Sequence, residues 1–316
     1  MLIFRGIPRE GLQSTVLTIG NFDGVHLGHQ ALLERLVARA RGVGLPAAVM
    51  TFEPHPREFF APDSAPARLA SLREKLILLA AAGIDQAYVC RFNATFAALT
   101  AKDFVEGVLV RGLGVRHLII GDDFRFGKGR VGDFALLGRA GLAHGFGLEA
   151  MDTVEVQGER VSSSAVREAL QAADLFRAAR LLGRPYSIAG RVVQGQKLGR
   201  RLGFHTANIQ LQHNLPPLLG VFAVSVTADD GTVREGVANL GLRPTVSALL
   251  RPSLEVHLFD FEGELYRAHL TVNFLHKLRD QVKFENLEAL SRQIACDVAD
   301  AQAFFLAEQP RRILSA

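Results

Sequence analysis

One ten-residue stretch decides the fold of the first half of the chain: Gly20-Asn21-Phe22-Asp23-Gly24-Val25-His26-Leu27-Gly28-His29. The short apolar run before it, Thr15 to Ile19, predicts a buried strand, and the apolar-periodic segment after it, Ala31 to Arg41, predicts a helix. A glycine-rich turn between a strand and a helix brings backbone N–H groups to the helix start, where they favour an anion. The stretch therefore predicts an anion-binding loop on an α/β fold.

Strand and helix patterns continue to alternate up to about residue 183, which indicates right-handed crossovers and a parallel sheet. Ligands of such sheets bind at the carboxyl ends of the strands. We therefore expect a Rossmann-like α/β domain over residues 1–183. Its further strands are predicted at Leu45 to Phe52, Gln86 to Cys90, Val115 to Ile120 and Leu148 to Val154, and its further helices at Ser71 to Ala82, Phe104 to Val110, Phe134 to Ala143, Ser163 to Ala172 and Leu175 to Leu182.

The pattern changes after Gly183-Arg184-Pro185, where consecutive strands are joined by tight turns such as Asp229-Asp230-Gly231. This predicts a second domain over residues 184–316, a small antiparallel β-barrel. A helix from Leu287 to Glu308 has the apolar spacing to pack on it. The predicted strands are Tyr186 to Val193, Thr206 to Leu211, Val221 to Thr227, Val233 to Asn239, Leu254 to Phe259 and Tyr266 to Phe274.

Composition narrows the class of protein. A length of 316 residues fits about two domains, and 48% hydrophobic with 22% charged residues excludes a disordered chain. Lys+Arg 36 against Asp+Glu 32 leaves a charge of +4, which suits a phosphate-bearing small substrate better than a nucleic-acid coat. Two distant cysteines, Cys90 and Cys296, form no disulfide framework. Without a signal-peptide pattern or a membrane-length apolar run, we expect a soluble, cytoplasmic protein.

His26 and His29 suggest what the loop does. Imidazoles three residues apart share one helical face and can donate to phosphate oxygens. Such donors suit attack on an α-phosphate, where charge builds on the phosphoryl oxygens. The alternatives are a zinc pair or two capping histidines, and no Cys cluster or HExxH motif supplies a third zinc ligand.

A competing motif lies at Gly127-Lys128-Gly129-Arg130-Val131-Gly132, which matches the GxGxxG dinucleotide fingerprint, with Asp152 as the ribose-binding acid. The fingerprint should turn directly off the first strand of its fold. Here residues 121–126 intervene after a late strand, so a mobile basic loop near phosphates is the preferred interpretation.

The second half carries a glycine-rich basic segment from Gly195 to Asn208. Thr206 and Asn208 are two residues apart on a predicted strand, so their oxygens face one side, and Mg²⁺ prefers such ligands together with nucleotide phosphates. Farther on, Ser253 to Phe259 alternates cleanly, with Glu255 on the face opposite Leu254 and Val256. By pattern alone, that face could simply be solvated.

These segments, with Thr51 to Pro56, Gly121 to Gly127 and Arg160 to Arg167, resemble the bifunctional riboflavin kinase/FAD synthetases of bacteria, in the order of that family and along the whole chain. The resemblance implies a nucleotidyltransferase domain followed by a kinase barrel. It implies phosphorylation of riboflavin by ATP to FMN, then adenylylation of FMN by a second ATP to FAD with release of pyrophosphate.

In the first domain, the resemblance implies ATP and phosphate contacts from the loop, the HxGH histidines and the serine-rich segment. His26, His29 and Arg167 would stabilise charge at the α-phosphate, and His55 would touch the flavin. Asp123, Phe124 and Phe126 would shape the floor of the nucleotide and flavin site. The implied ATP contacts are Gly20, Asn21, Phe22, Asp23, Gly24, His26, His29, Ser163, Ser164 and Arg167.

In the second domain, the resemblance implies that Glu255 is the general base for the riboflavin 5′-hydroxyl and that Thr206 and Asn208 hold Mg·ATP. Gly195, Lys197 and Gly199 would bind the ATP of this step. Arg243, in a segment that also matches the family, would contact the flavin or phosphate or serve the structure. His205 departs from the family, which has proline there, so φ before Thr206 is less restricted.

Two other functions remain open from the sequence. One is a nucleotidyltransferase for another phosphorylated acceptor, of the pantetheine or nicotinamide mononucleotide type, although such an enzyme needs no barrel with a Thr-x-Asn pair. The other is a basic nucleic-acid-binding protein, although the basic residues concentrate in glycine loops rather than along one helix face. We expect small-molecule substrates, riboflavin, FMN and ATP, with no nucleic acid or membrane partner.

Overall fold

The computed structural model describes residues 1–121, 123–194, 206–211, 215–244, 250–261 and 263–314. The chain forms two compact units, Met1–Pro66 with Leu72–Ser163 and Ala67–Ser71 with Ser164–Ala316. The sequence places the division at residue 183, whereas the helices after Ser163 group with the barrel because the second of them packs on a barrel strand. The boundary of the functional domains at residue 183 stays a prediction.

The first unit contains a six-stranded sheet in the order β1-β4-β3-β2-β5-β6, and every neighbouring pair is parallel. Helices connect its strands, which confirms the predicted α/β class. The strands are β1 Leu2–Arg5, β2 Thr15–Ile19, β3 Ala47–Glu53, β4 Gln86–Arg91, β5 Val115–Gly121 and β6 Gly147–Met151. The α-helices are α1 Leu27–Gly42, α2 Pro56–Phe60, α3 Leu72–Ala81, α4 Ala94–Ala97, α5 Ala101–Asp103 and α6 Phe134–His144.

Shorter elements complete this unit. A π-helical segment, Phe104–Gly112, continues α5, and single 3₁₀ turns occupy Pro62–Ser64 and Lys128–Arg130. A small hairpin pairs β7 Glu155–Val156 with β8 Glu159–Arg160.

Strand β2 lies at the point where the connections change direction. From β2 the sheet extends through β3, β4 and β1 on one side and through β5 and β6 on the other. All five residues of β2 are buried, and apolar cores cover the sheet on both faces. In such sheets the ligand crevice opens at the carboxyl ends of the strands that flank this point. The fold therefore places the site between the loops that follow β2 and β5.

Besides Ala67–Ser71, the second unit contains α7 Ser163–Gln171, except for its first residue, and α8 Leu175–Leu182, and it continues as a closed six-stranded barrel. The barrel order is β10-β13-β12-β11-β14-β9, antiparallel at each pair, which confirms the predicted barrel. Its elements are β9 Ser187–Val193, β10 Thr206–Ile209, β11 Gly220–Ala228, β12 Val233–Pro244, β13 Leu250–Leu258, β14 His269–Arg279 and the C-terminal helix α9 Leu287–Leu314.

Helix α9 is held on the barrel by an apolar contact and an ion pair. Phe305 and Ala301 of α9 pack with Val221 and Val237 of the barrel. Arg279, at the end of β14, donates from Nε and Nη2 to the two carboxylate oxygens of Asp297, both at 2.7 Å. The Asp297 side chain is only 4% exposed, and this ion pair, with a hydrogen bond from Gln293 Nε2 at 3.0 Å, compensates for the burial of its carboxylate.

We expect Asp297→Ala to lower the free energy of unfolding by about 3 kcal/mol, because the change leaves the Arg279 guanidinium without its carboxylate. Chemical denaturation followed by circular dichroism measures this loss. Glu288→Ala is the matched control on the same helix, since its pair with Arg292 is exposed on both sides and should contribute less than about 1 kcal/mol. Equal losses in the two variants would contradict the prediction.

Candidate active sites

The anion loop, residues 20–29, connects β2 to α1 in a strained conformation. Phe22, Gly24 and Val25 have φ values of 48°, 80° and 41°. The left-handed region costs a side-chain-bearing residue about 1–2 kcal/mol, and a β-branched valine is unusual there. Such strain persists only where the surroundings hold it.

Side chains hold alternate carbonyls of the loop. Thr51 Oγ1 donates to the carbonyl of Asn21 at 3.2 Å, Ser163 Oγ to that of Asp23 at 3.0 Å, and Gln30 Nε2 to that of Val25 at 2.8 Å. The three donors come from β3, from the start of α7 and from α1 itself. The backbone of the loop is therefore fixed from three directions before any ligand binds.

A cavity of about 300 Å³ opens at the crevice between the carboxyl ends of β2 and β5. The anion loop forms one wall, and the residues after β5 and β6 form the others. Its lining includes Gly20, Phe22, His26, Gly28, His29, Gly121, Asp123, Phe124, Met151, Asp152, Arg160 and Ser162. The loop predicted from the sequence thus lies in the cavity that the fold predicts.

His26 and His29 lie together in this cavity, with ring centroids 3.7 Å apart and planes 16° from parallel. His26 Nδ1 accepts a hydrogen bond from the backbone N–H of His29 at 3.3 Å and caps helix α1. With Nδ1 as acceptor, the neutral His26 ring carries its proton on Nε2, where it can donate. A Cβ on Gly28 would lie 3.3 Å from this ring, so the glycine makes room for it.

Two buried polar atoms of the loop, Asn21 Oδ1 and His29 Nδ1, have no hydrogen-bond partner among the described residues. Buried polar atoms are normally paired, so these two are available to a ligand or a water molecule. Burial lowers the pKa of His29 well below its ordinary value, and electrostatic interactions with His26 and Lys75 lower it further. His29 is therefore neutral at pH 7 and acts as a hydrogen-bond partner rather than as a cation.

We expect His29 to remain neutral at pH 6, below its ordinary pKa of 6.5. Because the folded pKa is depressed, the unfolded chain binds this proton more readily, and the stability contribution present above pH 6.5 is lost as the pH falls below it. NMR of the ¹³C-labelled histidine rings between pH 5 and 8 measures the titration, with His29→Gln to identify the signal. A His29 midpoint at or above 6.5 would contradict the prediction.

The middle serine of the serine-rich segment, residues 162–164, has a structural use. Ser163 holds the Asp23 carbonyl, as described above, and Ser164 lies on the first turn of α7. Arg167, in the second unit, donates from Nε to the backbone carbonyl of Ala67 at 2.6 Å. The predicted ATP contacts of these residues stay predictions.

The predicted flavin residues of this unit fall into different settings. Phe124 and Asp123 line the cavity, and the Asp123 carboxylate lies 3.5 Å from the Arg160 guanidinium. Phe126 lies behind Phe124 in the core, with ring centroids 5.8 Å apart. His55 caps the short helix α2 through Nδ1, which accepts from the backbone N–H of Arg57 at 3.1 Å. Their flavin contacts are likewise untested.

The competing glycine motif does not form a dinucleotide turn. Phe126 and Gly132 pair as an isolated antiparallel bridge, so the segment closes a small loop rather than connecting a strand directly to a helix. Gly132 faces the Phe126 ring, where a Cβ would lie within 2.6 Å of it, so packing requires this glycine.

In the second unit, the strand register brings the predicted kinase residues together. Glu255 of β13 lies opposite Asn208 of β10 on one side and opposite Asn239 of β12 on the other. Directly opposite residues of an antiparallel pair have Cβ atoms about 4.5–5.5 Å apart. The three side chains therefore form a row across three strands, and Thr206 lies beside it, opposite His257.

Strand β13 has the alternating burial that was predicted. Leu254, Val256 and Leu258 are buried, whereas Glu255 and His257 are partly exposed on the other face. Asn239, which sequence reasoning left out of the site, accepts at Oδ1 from Gln281 Nε2 at 2.6 Å. Only tertiary pairing reveals this contact, since 42 residues separate the two.

The oxygen donors of Thr206 and Asn208 fit a hard cation that keeps several waters and binds substrate phosphates, as Mg²⁺ does. The described ranges contain no cluster of three or more His, Cys, Asp or Glu side chains that could hold a metal by themselves. Gly195, Lys197 and Gly199 lie outside the described residues, as does the side chain of Arg243, whose backbone pairs with Arg251 in β12 and β13.

Comparison with known proteins identifies the family. A family model described as FAD synthetase matches residues 9–165, and one described as riboflavin kinase matches residues 182–305. The bifunctional riboflavin kinase/FMN adenylyltransferase of Pseudomonas fluorescens is 53% identical over 96% of this chain and 97% of its own length. That of Escherichia coli K12 is 48% identical over 98% of this chain and 100% of its own.

The chain belongs to the bifunctional riboflavin kinase/FMN adenylyltransferase family.

Membership in this family confirms the predicted resemblance and the predicted pair of enzyme activities, a riboflavin kinase and an FMN adenylyltransferase. A crystal structure described as a macrolide-efflux protein from Streptococcus pneumoniae shares the fold, with a TM-score of 0.79 and 27% identity over 94% of this chain and 97% of that one. In the part of the chain that the structure describes, no helix is long and apolar enough to span a membrane.

One buried charged residue near the anion loop, Lys75, is not part of any motif found in the sequence. Lys75 of α3 is only 5% exposed, and its Nζ donates to Thr51 Oγ1 at 3.3 Å. A lysine in an apolar helix pattern is ordinarily a solvated residue, so the pattern carried no signal for it.

Proposed function

We propose that the two activities are divided between the two units, with FMN adenylylation at the anion loop and riboflavin phosphorylation at the barrel row. One observation supports this division above all. The anion loop offers neutral hydrogen-bond donors and unpaired polar atoms, and the carboxylates that line its cavity, Asp123 and Asp152, lie outside the loop. The barrel instead places the carboxylate of Glu255 opposite Asn208, whose side-chain oxygen can bind a metal ion.

The chemistry of adenylylation fits the anion loop. An oxygen of the FMN phosphate attacks the α-phosphorus of ATP, the bond to the β-phosphoryl oxygen breaks, and pyrophosphate leaves. The attacking phosphate is already ionised, so no strong base is needed. His26 Nε2–H, the neutral His29 and the loop N–H groups would stabilise the charge that grows on the α-phosphoryl oxygens.

The chemistry of phosphorylation fits the barrel row. The riboflavin 5′-hydroxyl attacks the γ-phosphorus of ATP, ADP leaves, and Glu255 accepts the hydroxyl proton. Thr206 and Asn208 would hold Mg²⁺, which supplies neutralisation of the phosphate charge when it is bound. Asn239, fixed by Gln281, borders Glu255 on its other side and would help to orient the carboxylate or the flavin.

We further propose that riboflavin, FMN and ATP are the small-molecule substrates and that the protein is located in the cytoplasm. Cys90 and Cys296 are both free thiols, as a reducing compartment allows.

The test follows the flavins by chromatography while the full chain is incubated with riboflavin, ATP and Mg²⁺, and separately with FMN, ATP and Mg²⁺. We expect FMN to appear first and then to convert to FAD, and added FMN to convert without passing through riboflavin. Omission of Mg²⁺ with a chelator present should stop the first conversion. If riboflavin stays unchanged while FMN becomes FAD, the proposed kinase role of the barrel is wrong.

A further inference from the structure

The anion loop is connected to a buried cation through a side chain of the neighbouring strand. Thr51, the fifth residue of β3, is fully buried, and its hydroxyl donates to the Asn21 carbonyl at 3.2 Å. The same hydroxyl oxygen accepts from Lys75 Nζ at 3.3 Å. Lys75, Thr51 and Asn21 thus form one hydrogen-bonded chain from α3, through the sheet, to the loop.

This chain ends immediately before the strained part of the loop. Phe22, which follows Asn21 directly, and Val25, four residues after Asn21, are the two left-handed residues of the loop that lack the freedom of glycine. A backbone in this region reverts to ordinary conformations unless other contacts hold it. Orientation of the Asn21 carbonyl sets the direction of the next peptide N–H, so the hydroxyl of Thr51 acts on the point where the unusual conformation begins.

The buried ammonium group of Lys75 fixes the direction of the hydrogen bonds at Thr51. Burying an ammonium group is unfavourable unless hydrogen bonds and nearby groups compensate for lost water. A charge-assisted hydrogen bond to Thr51 is also stronger than a neutral one, and it leaves the single hydroxyl proton of Thr51 for Asn21. Lys75 therefore fixes which way the Thr51 hydroxyl points.

We propose that Lys75 and Thr51 are positioning residues that preorganise the anion loop for the phosphates of ATP. The inference rests on the proposed use of this loop in FMN adenylylation. Neither residue lines the cavity, so both act through the loop rather than on the reacting atoms.

Preorganisation has a kinetic signature of its own. When a binding-competent conformation is only partly populated, the apparent dissociation constant rises by the reciprocal of that population. Saturating ATP then restores the competent state, so KM for ATP rises while kcat is nearly unchanged. Loss of a group that contacts the transition state alone would instead lower kcat.

The experiment compares Thr51→Val, which removes only the hydroxyl, with Thr51→Ser, which keeps it, in the full chain. In FMN adenylylation we expect Thr51→Val to raise KM for ATP about fivefold to tenfold, the effect of one hydrogen bond, with kcat within about twofold of wild type. Thr51→Ser should stay within about twofold of wild type in both constants. Lys75→Met should raise KM for ATP by at least as much as Thr51→Val, and it provides a second route if that variant folds poorly.

Thr18→Val is the matched control. Thr18 is a fully buried threonine on the adjacent strand β2, and its hydroxyl has no hydrogen-bond partner among the described residues. This variant should leave both activities unchanged. Riboflavin phosphorylation by the same samples reports that the rest of each variant is intact.

The positioning role of Thr51 and Lys75 is wrong if Thr51→Val behaves like Thr18→Val, if KM for ATP rises as much in Thr51→Ser as in Thr51→Val, or if kcat falls at unchanged KM. In these cases wild type still forms FAD from FMN, so the proposed use of the loop stands. A wild-type chain that phosphorylates riboflavin but forms no FAD from FMN would overturn the proposed use of the loop and the positioning role with it.

Discussion

Riboflavin phosphorylation by the Glu255→Gln variant is expected to be about a thousandfold slower than by wild type, because glutamine keeps the shape of the side chain but cannot accept the 5′-hydroxyl proton. FMN adenylylation should stay within about twofold of wild type, since Glu255 belongs to the barrel unit. The flavin time course with riboflavin and, separately, with FMN measures both activities in one preparation.

Glu264→Gln provides the control for this prediction. Glu264 is an exposed glutamate in the segment between β13 and β14, so the same change of charge is made away from the row. Both activities should persist in that variant. A Glu255→Gln enzyme with kinase activity within tenfold of wild type would exclude Glu255 as the base and would return the face to the solvated interpretation.

A change at His26 should have the second largest effect, on the other activity. His26→Asn removes the Nε2–H donor from the cavity, but an asparagine Oδ1 can still accept the backbone N–H of His29 and cap helix α1. We expect FMN adenylylation to fall by about 10²–10³-fold, the range for loss of one positioned donor to a developing oxyanion. Riboflavin phosphorylation and thermal stability should change little.

His144→Asn is the corresponding control, since His144 is an exposed histidine at the end of α6. The prediction fails if His26→Asn forms FAD from FMN at the wild-type rate. It also fails if both activities fall together with the melting temperature, because the histidine would then matter mainly as the helix cap.

Much of this architecture could be predicted from local sequence. A glycine-rich turn after an apolar strand placed the anion loop at the correct sheet edge, since the parallel topology follows from alternating strand and helix patterns. Period-two alternation also separated Glu255 from Leu254 and Val256 correctly. These signals are local, because the backbone geometry of a strand or a helix start depends on a few neighbouring residues.

Contacts between distant segments could not be predicted in this way. The position of Asn239 beside Glu255 depends on the register between β12 and β13, and that of Lys75 depends on how α3 packs under β3. Strand β1 was missed as well, because it is four residues long with mostly exposed side chains at the sheet edge. In each case the deciding interaction is tertiary, and no local pattern encodes its partner.

The register of β13 has a consequence for how this enzyme can change. Glu255, the proposed base, lies on one face of β13, and Leu254, Val256 and Leu258 are buried on the other, so alternate positions of one strand meet two separate requirements. Substitution of His257, which lies on the same face as Glu255, leaves the three buried side chains in place. An insertion or deletion of one residue in the strand would exchange the two sets. Evolution of the kinase half should therefore proceed by substitution here and confine changes of length to the loops.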